Sequence, residues 1–149
     1  MPKLYVTCGI SGSGKSYWAN EYKKSWKAFS TMIISTDDIR KFLWGNEEDQ
    51  QQPEKVFDVA YKSIEKFLSD GWDVIFDATN LSARDRKKIV KRYRALADAL
   101  ICVDFGNDVP RALKNQELRA RKVPTEVIER QAKKYKKPSY DEGWDVIMF

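Results

Sequence analysis

The sequence predicts an α/β fold, a three-layer arrangement in which a mostly parallel sheet carries helices on its faces and a helical lid closes over one end. Three observations predict it. Short apolar runs alternate with stretches whose apolar residues recur at helical spacing. A glycine-rich segment, Gly9 to Gly14, joins the first run to the first helical stretch. Two helical stretches late in the chain are split by Val123-Pro124, as a lid would be. With 149 residues the chain is expected to form a single domain spanning 1–149, large enough to bury a core.

The elements follow in order. Residues 3–8 read as a buried strand and 15–27 as a helix. Thr31 to Ser35 is a second strand, and 38–44 a short helix with Asp37 or Asp38 as its cap. Gly45 to Pro53 is polar and aperiodic, a surface loop. Val56, Phe57, Ala60, Tyr61, Ile64, Phe67 and Leu68 mark a long helix that Gly71 ends. Trp72 to Phe76 is a third strand. Ile89, Val90, Tyr93, Leu96 and Ala97 mark a helix opened by Ser82. Leu100 to Phe105 is a fourth strand. Pro110 to about Arg121 and Thr125 to Lys136 are two more helices, the lid covering about 110–124. Trp144 to Phe149 is a short last strand. Most of the five tryptophans are assigned to the core.

Composition removes whole classes of chemistry. There is no histidine, so Ser-His-Asp and Cys-His catalysis and most zinc sites are excluded. Cys8 and Cys102 both sit in apolar runs and read as free, buried thiols. No apolar run reaches the ~20 residues of a membrane span, and the first residues lack a signal-peptide pattern, so a cytoplasmic protein without membrane contact is expected. The net charge of +5 permits a polyanionic partner.

Gly9-Ile10-Ser11-Gly12-Ser13-Gly14-Lys15-Ser16 matches G-x-x-x-x-G-K-[ST], between a strand and a helix. Glycines let successive N–H groups turn inward around phosphate oxygens, and the helix N-terminus adds positive potential. Gly9, Ser11, Gly12, Ser13, Gly14, Lys15 and Ser16 are therefore the ATP-binding candidates. Lys15 reaches the β- and γ-phosphates, and the Ser16 hydroxyl ligates Mg2+. The third strand delivers Asp77 beside this loop as the second metal-side oxygen. Ala78 follows it, not a glutamate that would polarise a hydrolytic water. No guanine-reading Asn-Lys-x-Asp is present.

The second strand ends Ser35-Thr36-Asp37-Asp38-Ile39-Arg40. In a parallel sheet the strands' carboxyl ends face the ligand crevice, so these side chains share the rim with the phosphate loop. Asp37 there can take a proton from an acceptor hydroxyl. Arg40 falls on the same helical face and can pair with an acceptor phosphate. Arg119 and Arg121 stand where a lid would carry charge to the transferring phosphoryl group.

Taken in order, the phosphate loop, Asp37-Asp38-Ile39-Arg40, Asp77-Ala78-Thr79-Asn80-Leu81 and Arg119-Ala120-Arg121-Lys122-Val123-Pro124 resemble the P-loop kinase domain of the polynucleotide 5′-kinase family. Lys137-Pro138 through Trp144 resembles a segment near the end of those domains. The likeness covers nearly the whole chain. It implies an ATP- and Mg2+-dependent kinase acting on 5′-hydroxyl ends of DNA or RNA. Asp37 would be the general base and Arg40 the acceptor-phosphate ligand. Asp77, Thr79 and Asn80 would line the acceptor and metal region, and Arg119 or Arg121 would stabilise the phosphoryl group. Neither a phosphatase Asp-x-Asp-Gly-Thr motif nor a lysine-based ligase motif is present.

Two basic clusters remain. Arg84, Arg86, Lys87, Lys88, Lys91, Arg92 and Arg94 crowd one helix; Lys133, Lys134, Lys136 and Lys137 crowd another. Each is either a strand-binding surface or a solvated helix face. Trp44 is the candidate for stacking a base, against core packing. The expected activity is a polynucleotide 5′-hydroxyl kinase. The alternatives are a kinase for a small hydroxyl acceptor (nucleoside, nucleotide, sugar or antibiotic) and a nucleotide-binding module without transfer.

Overall fold

The computed structural model describes residues 2–45, 52–119 and 122–149. In chain order the elements are β1 (Lys3–Gly9), α1 (Lys15–Ser25), β2 (Thr31–Ser35), α2 (Thr36–Trp44), α3 (Pro53–Ser69), β3 (Asp73–Asp77) and α4 (Ala83–Tyr93). They continue as β4 (Ala99–Gly106), α5 (Val109–Gln116), α6 (Thr125–Lys134), a 3-10 turn at Tyr140–Glu142 and β5 (Val146–Met148). Among the described residues the strands make one five-stranded sheet in the order β2-β3-β1-β4-β5. Every pairing is parallel.

Strand alternation decides which helix covers which face. Leu4, Val6 and Cys8 of β1 join Val74, Phe76, Leu100 and Cys102 on one side. There Ala60, Ile64 and Leu68 of α3 and Ile89 and Tyr93 of α4 bury them. Tyr5, Ile75, Ile101 and Val103 point the other way, onto Ala19 of α1. A third cluster forms beyond the strand ends, where Ile10 meets Ala112 of α5 and Ile128 of α6. The helices α5 and α6 are thereby anchored over the loop that follows β1. That loop lies where the strand order reverses, between β3 and β4 on either side of β1, and such a point opens a crevice at the carboxyl ends.

Several expectations need correction. The cap of α2 is Ser35, whose side chain accepts from the Asp38 N–H; neither aspartate caps it. The helix starts at Thr36, so Asp37 and Asp38 already lie in its first turn, where their charge suits the helix dipole. The helix α5 ends at Gln116, short of the expected Arg121, because the next amides bond three residues back and tighten the turn: Glu117 to Lys114, Leu118 to Asn115, Arg119 to Gln116. Of the tryptophans only Trp144 is fully buried; Trp18, Trp44 and Trp72 are half-buried and Trp26 is exposed, since one edge of a large indole reaches solvent at helix and strand ends. Residues 46–51 of the polar loop lie outside the described residues. Cys8 and Cys102 are free and buried. Among the described residues no helix is long and apolar enough to cross a membrane.

Candidate active site

The loop after β1 is shaped by close approach. A side chain on Gly12, at φ 84°, would place Cβ 2.8 Å from the Ala112 carbonyl oxygen of α5. Gly14 at the head of α1 also has a left-handed φ, of 103°. Side chains of the overlying helices clamp the loop. The Ser11 N–H donates to the Gln131 side chain of α6 at 2.8 Å, and Asn115 of α5 donates to the Gly12 carbonyl at 2.9 Å. The Gly9 N–H is taken by Thr79, so Gly9 braces the loop from beneath.

Lys15 is buried, and its ammonium donates to the Ile10 carbonyl at 2.7 Å. Burial lowers its pKa to about 8, although the Asp77 and Asp37 carboxylates oppose the shift. Ser16 Oγ donates to Asp77 Oδ2 at 2.6 Å. Burial raises the Asp77 pKa, while the Ser16 hydrogen bond and Lys15 pull it back. Together Ser16 and Asp77 present two hard oxygen donors next to the phosphate loop. Among the described residues no cluster of three or more metal-binding side chains stands anywhere. A two-oxygen set fits Mg2+, which keeps waters and takes substrate phosphates as its remaining ligands.

Opposite the loop, Arg40 donates to Asp37 Oδ1 at 2.9 Å. The Asp37 side chain is 46% exposed, whereas that of Arg40 is 10% exposed. Among the described residues the Arg40 Nε is buried without a partner. A buried guanidinium nitrogen left unsatisfied is costly, and an incoming anion would relieve it. Arg119 sits past the end of α5 and touches Gln116 at 3.4 Å. Arg121 lies outside the described residues.

These groups converge on a cavity of about 980 Å³. Ser11 through Ser16, Asp37, Arg40, Asp77, Thr79 and Arg119 line it. A second cleft of about 330 Å³ adjoins it, sharing Ser16, Asp37, Asp77 and Arg119. Asn80 is not brought into the cavity. It is buried at φ 42°, with its amide donating to the Thr7 carbonyl at 2.8 Å, and there it turns the chain from β3 toward α4. Its expected place on the acceptor wall is corrected accordingly: its donors are spent on backbone.

Sequence reasoning missed part of the lining. Arg111 and Asn115 of α5, and Val127, Arg130 and Gln131 of α6, all face the cavity, as does Lys134, which had been read only as part of a basic cluster. Val127, Arg130, Gln131 and Lys134 recur at i, i+3, i+4 and i+7, so helical spacing held the signal. Exposed Tyr17 and half-buried Phe57 also line it. Arg86 had been grouped with surface cations. It is fully buried instead, in bidentate contact with Glu142 at 2.8 and 2.9 Å.

A family model described as AAA domain matches residues 4–138. The L-seryl-tRNA(Sec) kinase of Methanococcus maripaludis is 24% identical over 147 residues, covering 96% of this chain and 56% of that protein. The chain thus spans about half the length of the curated relative it matches. A chain of the Pnkp1/Rnl/Hen1 RNA repair complex superposes with a TM-score of 0.77 at 24% identity, over 89% of this chain and 43% of that one. Chaetomium thermophilum Kti12, solved with ADP-AlF3, superposes with a TM-score of 0.77 at 18% identity, over 98% of this chain and 88% of that one. Such likeness establishes a P-loop kinase-like α/β fold.

Proposed function

Since the chain belongs to the AAA domain family, we propose that it is an ATP- and Mg2+-dependent kinase that transfers the γ-phosphoryl group to the 5′-hydroxyl end of DNA or RNA. The observation that carries this reading is the Asp37–Arg40 pair facing Lys15 and Ser16 across one cavity. A carboxylate beside a guanidinium suits a 5′-hydroxyl followed by a phosphodiester, the one as proton acceptor and the other as phosphate ligand. RNA repair and tRNA in relatives' names support an acceptor that is part of, or attached to, a nucleic acid. So does the cavity, which at about 980 Å³ has room for a nucleotide and part of an acceptor and continues into the adjoining cleft.

The loop N–H groups and the α1 N-terminus hold the ATP phosphates. Lys15 leaves the Ile10 carbonyl and donates to the β- and γ-phosphate oxygens. Ser16 and Asp77 would hold Mg2+, which when bound would supply charge neutralisation to the phosphates. Arg40 fixes the acceptor's first phosphate, which aligns the 5′-oxygen with the γ-phosphorus. Asp37 accepts the hydroxyl proton as the new O–P bond forms, and the bond to the β-phosphate oxygen breaks to release ADP. Arg119 donates to the transferring group's oxygens as their charge spreads.

The test is transfer from γ-labelled ATP to 5′-hydroxyl oligonucleotides, with 5′-phosphorylated oligonucleotides and nucleosides alongside. Label on the 5′-hydroxyl strand alone is expected. Label on nucleosides alone would overturn the strand acceptor in favour of a small hydroxyl compound. ATP binding without any labelled acceptor would leave a nucleotide-binding module.

A further inference from the structure

The helix α4 has two faces of opposite character. Arg86, Ile89, Val90 and Tyr93 are buried. Arg84, Lys87, Lys88 and Lys91 recur at i, i+3, i+4 and i+7, and all four are exposed. That spacing makes one cationic stripe about 10 Å long.

The stripe is left unpaired while its flanks are not. Arg92 meets Glu65 at 3.9 Å and lies over the Tyr61 ring, and Arg94 meets Asp145 at 2.8 Å. Among the described residues no carboxylate lies within 4.0 Å of the four stripe cations. Asp85 lies on the helix itself, and Asp141, held low chiefly by the Ser139 hydrogen bond, also feels Lys87. Like charges at these spacings repel one another along the helix, and a bound polyanion would remove that repulsion.

The stripe also starts at the cavity. The helix begins just past Leu81, a cavity-lining residue. The helix beside it, α3, contributes Phe57 to the same cavity wall and meets α4 through Tyr61. Arg84 is thus the stripe residue closest in sequence to the cavity-lining Leu81, and Lys91 the farthest from it. At about 3.4 Å per nucleotide the stripe spans roughly three steps of a strand.

We propose that Arg84, Lys87, Lys88 and Lys91 bind the sugar–phosphate backbone of the acceptor strand behind its 5′ end. This rests on the polynucleotide reading above. It makes acceptor use length-dependent, since a dinucleotide ends before the stripe.

The experiment compares the wild type with Arg84→Gln/Lys87→Gln/Lys88→Gln/Lys91→Gln. Acceptors are a 5′-hydroxyl RNA strand of about 12 nucleotides, within the usual site size for single strands, and a 5′-hydroxyl dinucleotide. The KM for the long strand should rise about tenfold or more, with the dinucleotide KM within about twofold. The log–log salt dependence of strand binding should flatten by about 0.7 per lost phosphate contact, hence by about 3 for the four. Lys87→Arg/Lys88→Arg/Lys91→Arg, which keeps the charge, should retain the long-strand KM. An unchanged long-strand KM and salt slope in the glutamine variant overturns the stripe, as does an equal rise for both acceptors. If the wild type labels the long strand no better than the dinucleotide, the stripe falls and the kinase reading stands. If it labels neither, and no 5′-hydroxyl DNA strand of the same length either, the polynucleotide reading falls and takes the stripe with it.

Discussion

Two arginine–carboxylate pairs in this molecule use the same chemistry to opposite ends. Arg40 and Asp37 sit on one helix turn, with a single contact of 2.9 Å, a half-exposed carboxylate and a guanidinium nitrogen left without a partner. Arg86 and Glu142 come from elements far apart in sequence, with side chains 0% and 2% exposed. Arg86 spends its remaining donors on the carbonyls of Asn80, Leu81 and Lys136. Glu142 also accepts from Trp144 at 2.9 Å. Among the described residues the first pair leaves a guanidinium nitrogen without a partner beside the cavity. The second is saturated and ties α4, the cavity rim at Leu81 and the C-terminal segment into one block. What separates the two arginines is spare hydrogen-bonding capacity beside a cavity, not charge or burial alone.

The comparison can be broken at several points. On the open side, Asp37→Asn should lower the transfer rate by up to about 10⁴-fold, the range for a lost general base, with ATP affinity nearly unchanged by calorimetry. Retained transfer would remove Asp37 from the base role. On the closed side, Arg86→Ala should cost about 3–5 kcal/mol in denaturant unfolding, because it strands a buried carboxylate. Arg40→Ala should cost under about 1 kcal/mol, because Asp37 is already solvated. Equal losses would erase the distinction drawn here. Arg40→Ala should instead raise the acceptor KM by about 10–100-fold, the worth of a charge-assisted hydrogen bond. An ATP KM that rises equally would place Arg40 on the donor.

Two pH effects sharpen it further. Burial holds Lys15 at about 8, below its unfolded value, so the unfolded chain binds more protons above pH 8 and the ligand-free protein gains stability as pH rises from there. ATP needs the protonated amine, so its affinity should fall above pH 8, by up to about tenfold per unit. Lys15→Arg should flatten that fall in calorimetric titrations. Burial pushes the Glu142 carboxyl up, yet its hydrogen bonds from Arg86 and Trp144 win and hold it below the ordinary range. Its stabilisation is therefore present above the usual glutamate pKa and lost as pH falls through the depressed one. Glu142→Gln should remove that part of the acid-unfolding slope.

Much of this could be read in the chain. The strand runs came within a residue or two of their observed bounds, and Ser82 caps α4 as its position suggested. Ser16 and Asp77 were expected side by side and are in contact. Arg86 was misread because it sits among exposed cations at ordinary helical spacing. Only the packing of α4 turns it inward, and its partner lies 56 residues away. Asn80 was misread because a motif names residues without saying which way they point.

The sequence alone determined the alternation of strands and helices, the phosphate loop and the carboxylates at the strand ends, because these depend on local periodicity and on residues close together in the chain. Tertiary structure alone decided three things: which arginine of two keeps spare donors, that α5 and α6 clamp the loop through Asn115 and Gln131, and that the α4 stripe begins at the cavity rim. Each depends on contacts between residues distant in sequence, and those are set by how the helices pack on the sheet.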